Sequence, residues 1–243
     1  MNEDLFSLDI KRFQKFHSSK KFIMNRVTET LGDLYGMHWP YKQHETSRDQ
    51  RLLPYHGELK KAGACFGQSG EYERPMWYAL NSVNSHYKYS FNYQNWYPSV
   101  ENECANTIKN VGLFELTPFS KYEVKGEKAY SDLQILCTAN IKNEVGKCTY
   151  THMLNEGGGI ETDLTVICLK KNHFRIISSA AVRTHDKYHI LKYLSKDTEF
   201  KDVTDELICL GVFGPKSRDL LSKISNDNFS NEEFKFATGK NIK

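Results

Sequence analysis

Three familiar signatures are missing from this chain: Cys-x-x-Cys, Gly-x-Gly-x-x-Gly and Gly-x-Ser-x-Gly. Their absence removes the paired-cysteine zinc and thiol-redox sites, the dinucleotide fingerprint and the nucleophile elbow of the α/β-hydrolases. No apolar run reaches the roughly 20 residues that span a bilayer. The opening Met1-Asn2-Glu3-Asp4-Leu5-Phe6 lacks the basic and then apolar layout of a secretory signal. An excess of one charge is lacking as well: 33 Lys and Arg against 30 Asp and Glu leave a net +3. That falls below the strongly basic balance of a dedicated nucleic-acid domain. Neither nucleic acid nor membrane is expected as a partner. The six cysteines (65, 104, 137, 148, 168 and 209) are irregularly spaced, several of them inside apolar runs. This is the pattern of reduced, buried thiols in a reducing compartment.

What is present describes a soluble globular protein. The 243 residues, 39% hydrophobic and 26% charged, suffice for one large or two small domains. Aromatic residues are plentiful at 13% and favour a folded, ligand-capable chain. Many crowd into residues 36–100, where Pro40, Pro54, Pro75 and Pro98 interrupt any long period. That stretch is expected to be irregular, draped over another surface and pinned by large side chains. A helix is expected before it, over Lys20–Tyr35. From Glu101 onward the chain is regular. Helices are expected over Glu103–Asn110, Glu127–Ala139, Val182–Leu194 and Lys216–Ile224, the last opened by Pro215. Strands are expected over Val111–Leu116, Tyr122–Lys125, Phe174–Ser178 and Leu207–Gly214. The interspersed pattern is that of an α+β fold.

The most informative stretch is Thr149–Val166. Lys147–Leu154 and Ile160–Leu169 read as the arms of a β-hairpin around the five-residue loop Asn155–Gly159. Alternation puts Ile160, Thr162, Leu164, Val166 and Cys168 on one face, the core. Glu161, Asp163 and Thr165 share the other, which turns apolar at Ile167 and Leu169, as a pocket wall does. Asp163 is a lone carboxylate in a β-branched, apolar run, and a half-buried acid is costly unless something pairs with it. Two readings stand side by side: a functional carboxylate, or an ordinary solvent-facing acid. The simplest register sets Thr151 opposite Asp163 and Thr149 opposite Thr165. A bulge at the glycines would shift that register and exchange faces.

Other constellations carry less. His185 and His189 lie four apart on an expected helix, but no Glu follows His185 as a zinc-protease motif requires; a solvent-facing pair is the simpler reading. His38, His44 and His56 have irregular spacing and no nearby cysteine, so no metal site is expected. Gly157-Gly158-Gly159 joins two strands and lacks the Lys-Ser/Thr of a P-loop, which makes it a turn. The aromatic stretch 72–97 has only Arg74 and Lys88 as cations, too few for a base-stacking platform.

Several segments, taken in order, resemble one family. They are Arg26-Val27-Thr28-Glu29, Leu34-Tyr35, Met37-His38-Trp39-Pro40, Glu73-Arg74-Pro75 with Trp77, and Tyr93-Gln94-Asn95-Trp96-Tyr97. They continue through Val111-Gly112-Leu113-Phe114-Glu115-Leu116-Thr117-Pro118-Phe119-Ser120-Lys121-Tyr122, Leu136-Cys137-Thr138-Ala139-Asn140 and the hairpin itself. The set is similar to the folate-binding aminomethyltransferase domain, and the central segment before it, of FAD-dependent dimethylglycine and sarcosine dehydrogenases. The resemblance implies an α+β folate-binding domain with a mixed or antiparallel sheet and packed helices, incomplete here. On it, residues 1–100 form the central segment that links to an FAD domain absent from this sequence, and residues 101–243 form the N-terminal part of the folate domain. The chain then reads as a middle fragment of a longer enzyme or one piece of a split gene, in the cytoplasm or, in a eukaryote, the mitochondrial matrix.

The resemblance also implies roles. In such enzymes a flavin oxidises an N-methyl amine to an iminium, and the one-carbon unit passes to tetrahydrofolate, giving 5,10-methylenetetrahydrofolate. Asp163 matches the carboxylate beside the reacting nitrogens. Phe119, Tyr150 and Thr165 match positions lining the pterin site. The simplest register puts Tyr150 on the face away from Asp163, so either the register slips or Tyr150 belongs to the core. The implied partners are folate and an FAD oxidoreductase domain or subunit. Two alternatives share the fold: a non-enzymatic folate-binding module, and a module that docks a flavoprotein.

Overall fold

The structure, a computed structural model, describes residues 8–10, 13–69, 71–80 and 84–242. Its contacts divide the chain into two compact units. One comprises 13–115 with 211–216, and the other 116–210 with 217–243 and the first 12 residues.

In the first unit, α1 (Lys20–Asp33) is capped by the Ser19 hydroxyl, which accepts from the Phe22 amide at 3.1 Å. After α2 (His56–Lys61), β1 (Ala64–Ser69) and β2 (Tyr72–Tyr78) pair antiparallel. This hairpin corrects the expectation of an irregular stretch. Pro75 and a bulge at Cys65/Phe66 interrupt the alternation that would have announced it. The unit also buries residues of its own: Leu53, Ala64, Cys65, Tyr72 and Trp77. Glu73 on β2, 1% exposed, is gripped by Arg48 through Nε at 2.9 Å and through Nη2, and takes the Asp49 amide at 3.0 Å. Burial alone would raise the Glu73 carboxyl, but these hydrogen bonds outweigh it and hold it below its ordinary value. The helix α3 (Tyr97–Lys109) starts six residues earlier than expected, with Pro98 in its first turn, where the missing N–H costs nothing. Strand β3 (Gly112–Glu115) ends this unit's main run.

The second unit is built on one antiparallel sheet. Its strands are β4 (Ser120–Lys125), β5 (Cys148–Leu154), β6 (Ile160–Lys170), β7 (His173–Ser178) and β8 (Glu199–Asp202), in the spatial order β5-β6-β7-β4-β8. Strand β8 was not expected, because Glu199, Lys201 and Asp202 hide a four-residue edge strand among charges. The helices α4 (Ala129–Leu136) and α5 (Arg183–Tyr193) contribute to a core with one face of this sheet. Tyr122, Val124, Leu133, Met153, Leu164, Val166, Phe174, Ile176 and Ile190 meet there, all nearly or fully buried. The helix α6 (Ser217–Ile224) closes this unit, while residues 211–213 of the short strand β9 (Leu210–Phe213) belong to the first unit, where β9 pairs with β3.

The β5–β6 hairpin decides the site. Leu154 pairs with Ile160 and Met153 with Thr162, so Glu161 is an extra residue on β6. The loop closes on Asn155, whose Oδ1 accepts from the amides of Gly157 (3.0 Å) and Gly159 (2.9 Å), while Gly158 takes φ +81°. The bulge moves the register by one. His152, not Thr151, stands opposite Asp163, and Tyr150, not Thr149, opposite Thr165. Thr162, Leu164, Val166 and Cys168 keep their core face; Ile160, expected there too, is exposed. Glu161, expected beside Asp163, reaches His185 of α5 instead.

Candidate functional site

The shifted register places Tyr150, His152, Asp163 and Thr165 on the sheet face turned away from the core. Asp163 is exposed, and its Oδ2 accepts a hydrogen bond from the Tyr150 hydroxyl at 3.0 Å. That bond, before any effect of burial, holds the Tyr150 phenol above its ordinary value, since its ionisation would set two anions side by side. The Tyr150 and His152 rings meet edge to face, centroids 5.5 Å apart. Thr165 is half-buried beside them. Tyr150 is therefore not core, and the slip of register brings it to Asp163.

Phe119 arrives from another direction. It is half-buried and immediately precedes β4, whose Ser120 pairs with Ser178, itself the partner of Leu164. This sets Phe119 at the same end of the sheet as Asp163, two strand spacings or about 10 Å across. The buried Lys121 fixes that corner: its Nζ donates to the carbonyls of Thr117 (2.6 Å) and Phe119 (2.8 Å). The structure thus joins Asp163, Tyr150 and Thr165 in one cluster and keeps Phe119 on its margin.

Two residues escaped the sequence reading. His152 enters through the register shift alone. Asp186 is fully buried in the first turn of α5, directly behind the site. Its Oδ2 accepts from Thr162 Oγ1 at 3.0 Å and from Ser178 Oγ. Burial pushes this carboxyl up, against the lowering effect of its hydrogen bonds. The only sequence signal was an acid four residues before Ile190 on an expected helix. His185 and His189, expected to face solvent, are half-buried with rings stacked at 6.5 Å. Farther along the outer face, Glu123 takes His173 (3.0 Å) and Arg175 (2.5 Å). In the first unit Glu29, Asp33 and His44 lie close enough to share a cation. Their oxygens are engaged, however: Glu29 accepts from the Glu45 and Thr46 amides and Asp33 from Lys42.

This arrangement of an antiparallel sheet, two helices on one face and a carboxylate displayed on the other defines an aminomethyltransferase-like domain. The chain belongs to the GCVT N-terminal domain family, which matches residues 55–243, and residues 1–52 match the FAD dependent oxidoreductase central domain. It is 35% identical over 240 residues to 4-methylaminobutanoate oxidase (formaldehyde-forming) of Paenarthrobacter nicotinovorans, covering 98% of this chain and 29% of that protein. It is 28% identical over 243 residues to mitochondrial dimethylglycine dehydrogenase of Rattus norvegicus, covering 99% and 28%. The chain thus spans under a third of these relatives. The fold matches the glycine cleavage system aminomethyltransferase T of Bartonella henselae with a TM-score of 0.63 at 23% identity, over 78% of this chain and 46% of that one. Among the described residues no helix is long and apolar enough to cross a membrane.

Proposed function

We propose that this domain binds tetrahydrofolate against the outer face of β5 and β6, and that it accepts there the one-carbon unit released when an FAD-dependent oxidoreductase oxidises an N-methyl amine. The observation that carries this reading is the exposed Asp163 carboxylate with the Tyr150 hydroxyl on one of its oxygens. One oxygen of the pair is held by an internal donor, which leaves the other for the N–H groups of a reduced pterin. The relatives' names, an N-methyl amine oxidase that forms formaldehyde and a dimethylglycine dehydrogenase, supply the substrate class.

Asp163 has two tasks. As an anion it stabilises the cationic iminium formed between the one-carbon unit and a folate nitrogen. As a base it takes the proton lost when the second nitrogen closes the ring to 5,10-methylenetetrahydrofolate. Tyr150 keeps the carboxylate oriented, Thr165 and His152 form the floor beside it, and Phe119 lends an apolar margin. The flavin chemistry lies elsewhere: the chain holds no Gly-x-Gly-x-x-Gly run, and no step is assigned to these residues through FAD. The amine, the partner flavin domain and the compartment follow the relatives and stand as part of the proposal. Amide chemical shifts recorded while tetrahydrofolate is added test it. Shifts centred on Tyr150, His152, Asp163 and Thr165 support the site. An unchanged spectrum, or shifts confined to the first unit, sinks it and favours a module that only docks a flavoprotein.

A further inference from the structure

Asp186 has no part in the chemistry above, yet it touches β6, which carries Asp163, and the neighbouring strand β7. Thr162 directly precedes Asp163 on β6, and Ser178 of β7 pairs with Leu164, the residue that follows Asp163. Both hydroxyls donate to one oxygen of Asp186. A single buried carboxylate therefore ties Thr162, which precedes Asp163, to Ser178, the cross-strand partner of the residue that follows it. An unpaired charge there would be costly, so the hydroxyl and imidazole partners are required rather than incidental.

The other oxygen faces His185. Its Nδ1 lies 3.3 Å from Asp186 Oδ1 and its Nε2 lies 2.9 Å from Glu161 Oε2. Glu161 is the extra residue of the bulge that sets the register of Asp163. Glu161 is the more exposed of the two carboxylates that His185 joins (22% against 0% for Asp186). His189 stacks on His185, and burial holds its imidazole below the ordinary value. Lys192 reaches Glu156 at 3.0 Å. Tyr122 of β4 donates to the Arg183 carbonyl at 2.7 Å, and the Arg183 side chain pairs with Asp202 and Asp205.

We propose that Asp186 is the positioning residue of Asp163, acting through Thr162 and Ser178, and that His185 links it to Glu161 of the bulge in the same brace. Its consequence for ligand binding rests on the folate reading, but its effect on Asp163 and Tyr150 is read without folate. The experiment uses the whole chain with two readouts: ionisation of Tyr150, followed by ring carbon NMR, and affinity for tetrahydrofolate. Asp186→Asn returns the Tyr150 phenol toward ordinary tyrosine behaviour. It also weakens tetrahydrofolate binding about tenfold, the loss of one charge-assisted hydrogen-bond set. If Asp186→Asn does not fold, Thr162→Val and Ser178→Ala give the same changes at smaller size with the carboxylate kept. A folded Asp186→Asn or hydroxyl variant with lowered melting temperature but unaltered Tyr150 ionisation overturns the brace and leaves Asp186 a structural residue. A wild-type chain that does not bind tetrahydrofolate overturns the folate reading instead, and the Tyr150 response still decides the brace.

Discussion

Asp163→Asn, made in a full-length enzyme that contains this domain, removes one negative charge and keeps the shape and one acceptor oxygen. The effect follows from distance and medium. A carboxylate about 4 Å from an iminium stabilises it by about 1 kcal/mol in bulk water and by about 4 kcal/mol at an effective dielectric near 20. Asp163 is exposed, so the lower figure describes the open site. A bound pterin excludes water and moves the value toward the upper one. At 1.36 kcal/mol per factor of ten, transfer to folate slows by roughly fivefold at the low end and roughly a thousandfold at the high end. Oxidation of the amine does not pass through Asp163 and keeps its rate. The assay follows amine consumption, 5,10-methylenetetrahydrofolate and free formaldehyde in parallel. The expected outcome is unchanged consumption with product diverted from methylenetetrahydrofolate to formaldehyde. Undiminished methylenetetrahydrofolate from the variant refutes the electrostatic role.

Three further outcomes concern the scaffold. Glu73→Gln leaves the Arg48 guanidinium without its carboxylate partner and lowers unfolding free energy by about 3 kcal/mol in urea titration, the low end for breaking a buried pair because Arg48 is part-exposed. Acid acts through the same chemistry: burial opposes ionisation of Glu73, Glu123 and Asp132, but hydrogen bonds outweigh it and hold all three carboxyls below their ordinary values. Their stabilisation is complete above the unfolded carboxylate range and is lost as pH falls through the lowered folded values, so melting temperatures recorded downward from about pH 6 drop steeply below about pH 4. Gly126→Ala puts a methyl group against the Asp197 carbonyl at φ +137°, and a cost of about 2 kcal/mol appears as a fall of roughly 4–8 °C in melting temperature.

How much of this was legible in the sequence depends on the kind of signal. Strands and helices with clean periods were read within a few residues, as in β4, β7 and α5. The first unit's hairpin was not, because Pro75 and the Cys65/Phe66 bulge broke its alternation, and β8 was not, because an exposed edge strand needs no apolar face. Within the hairpin the core face was right apart from Ile160, and the pairing was wrong by one. A bulge beside three glycines adds a residue without changing composition, so only the backbone reveals it. That one residue decides whether Tyr150 lies in the core or on Asp163. Asp186 was invisible for a different reason: a buried acid and an exposed one look alike until the hydroxyls that hold it, 8 and 24 residues away, are folded against it.

Calorimetric titration of the chain with tetrahydrofolate, wild type beside Asp163→Asn, tests the central claim most directly. The wild type is expected to bind saturably at a single site and the variant clearly more weakly. Absence of binding, or equal affinity in the two proteins, contradicts that claim.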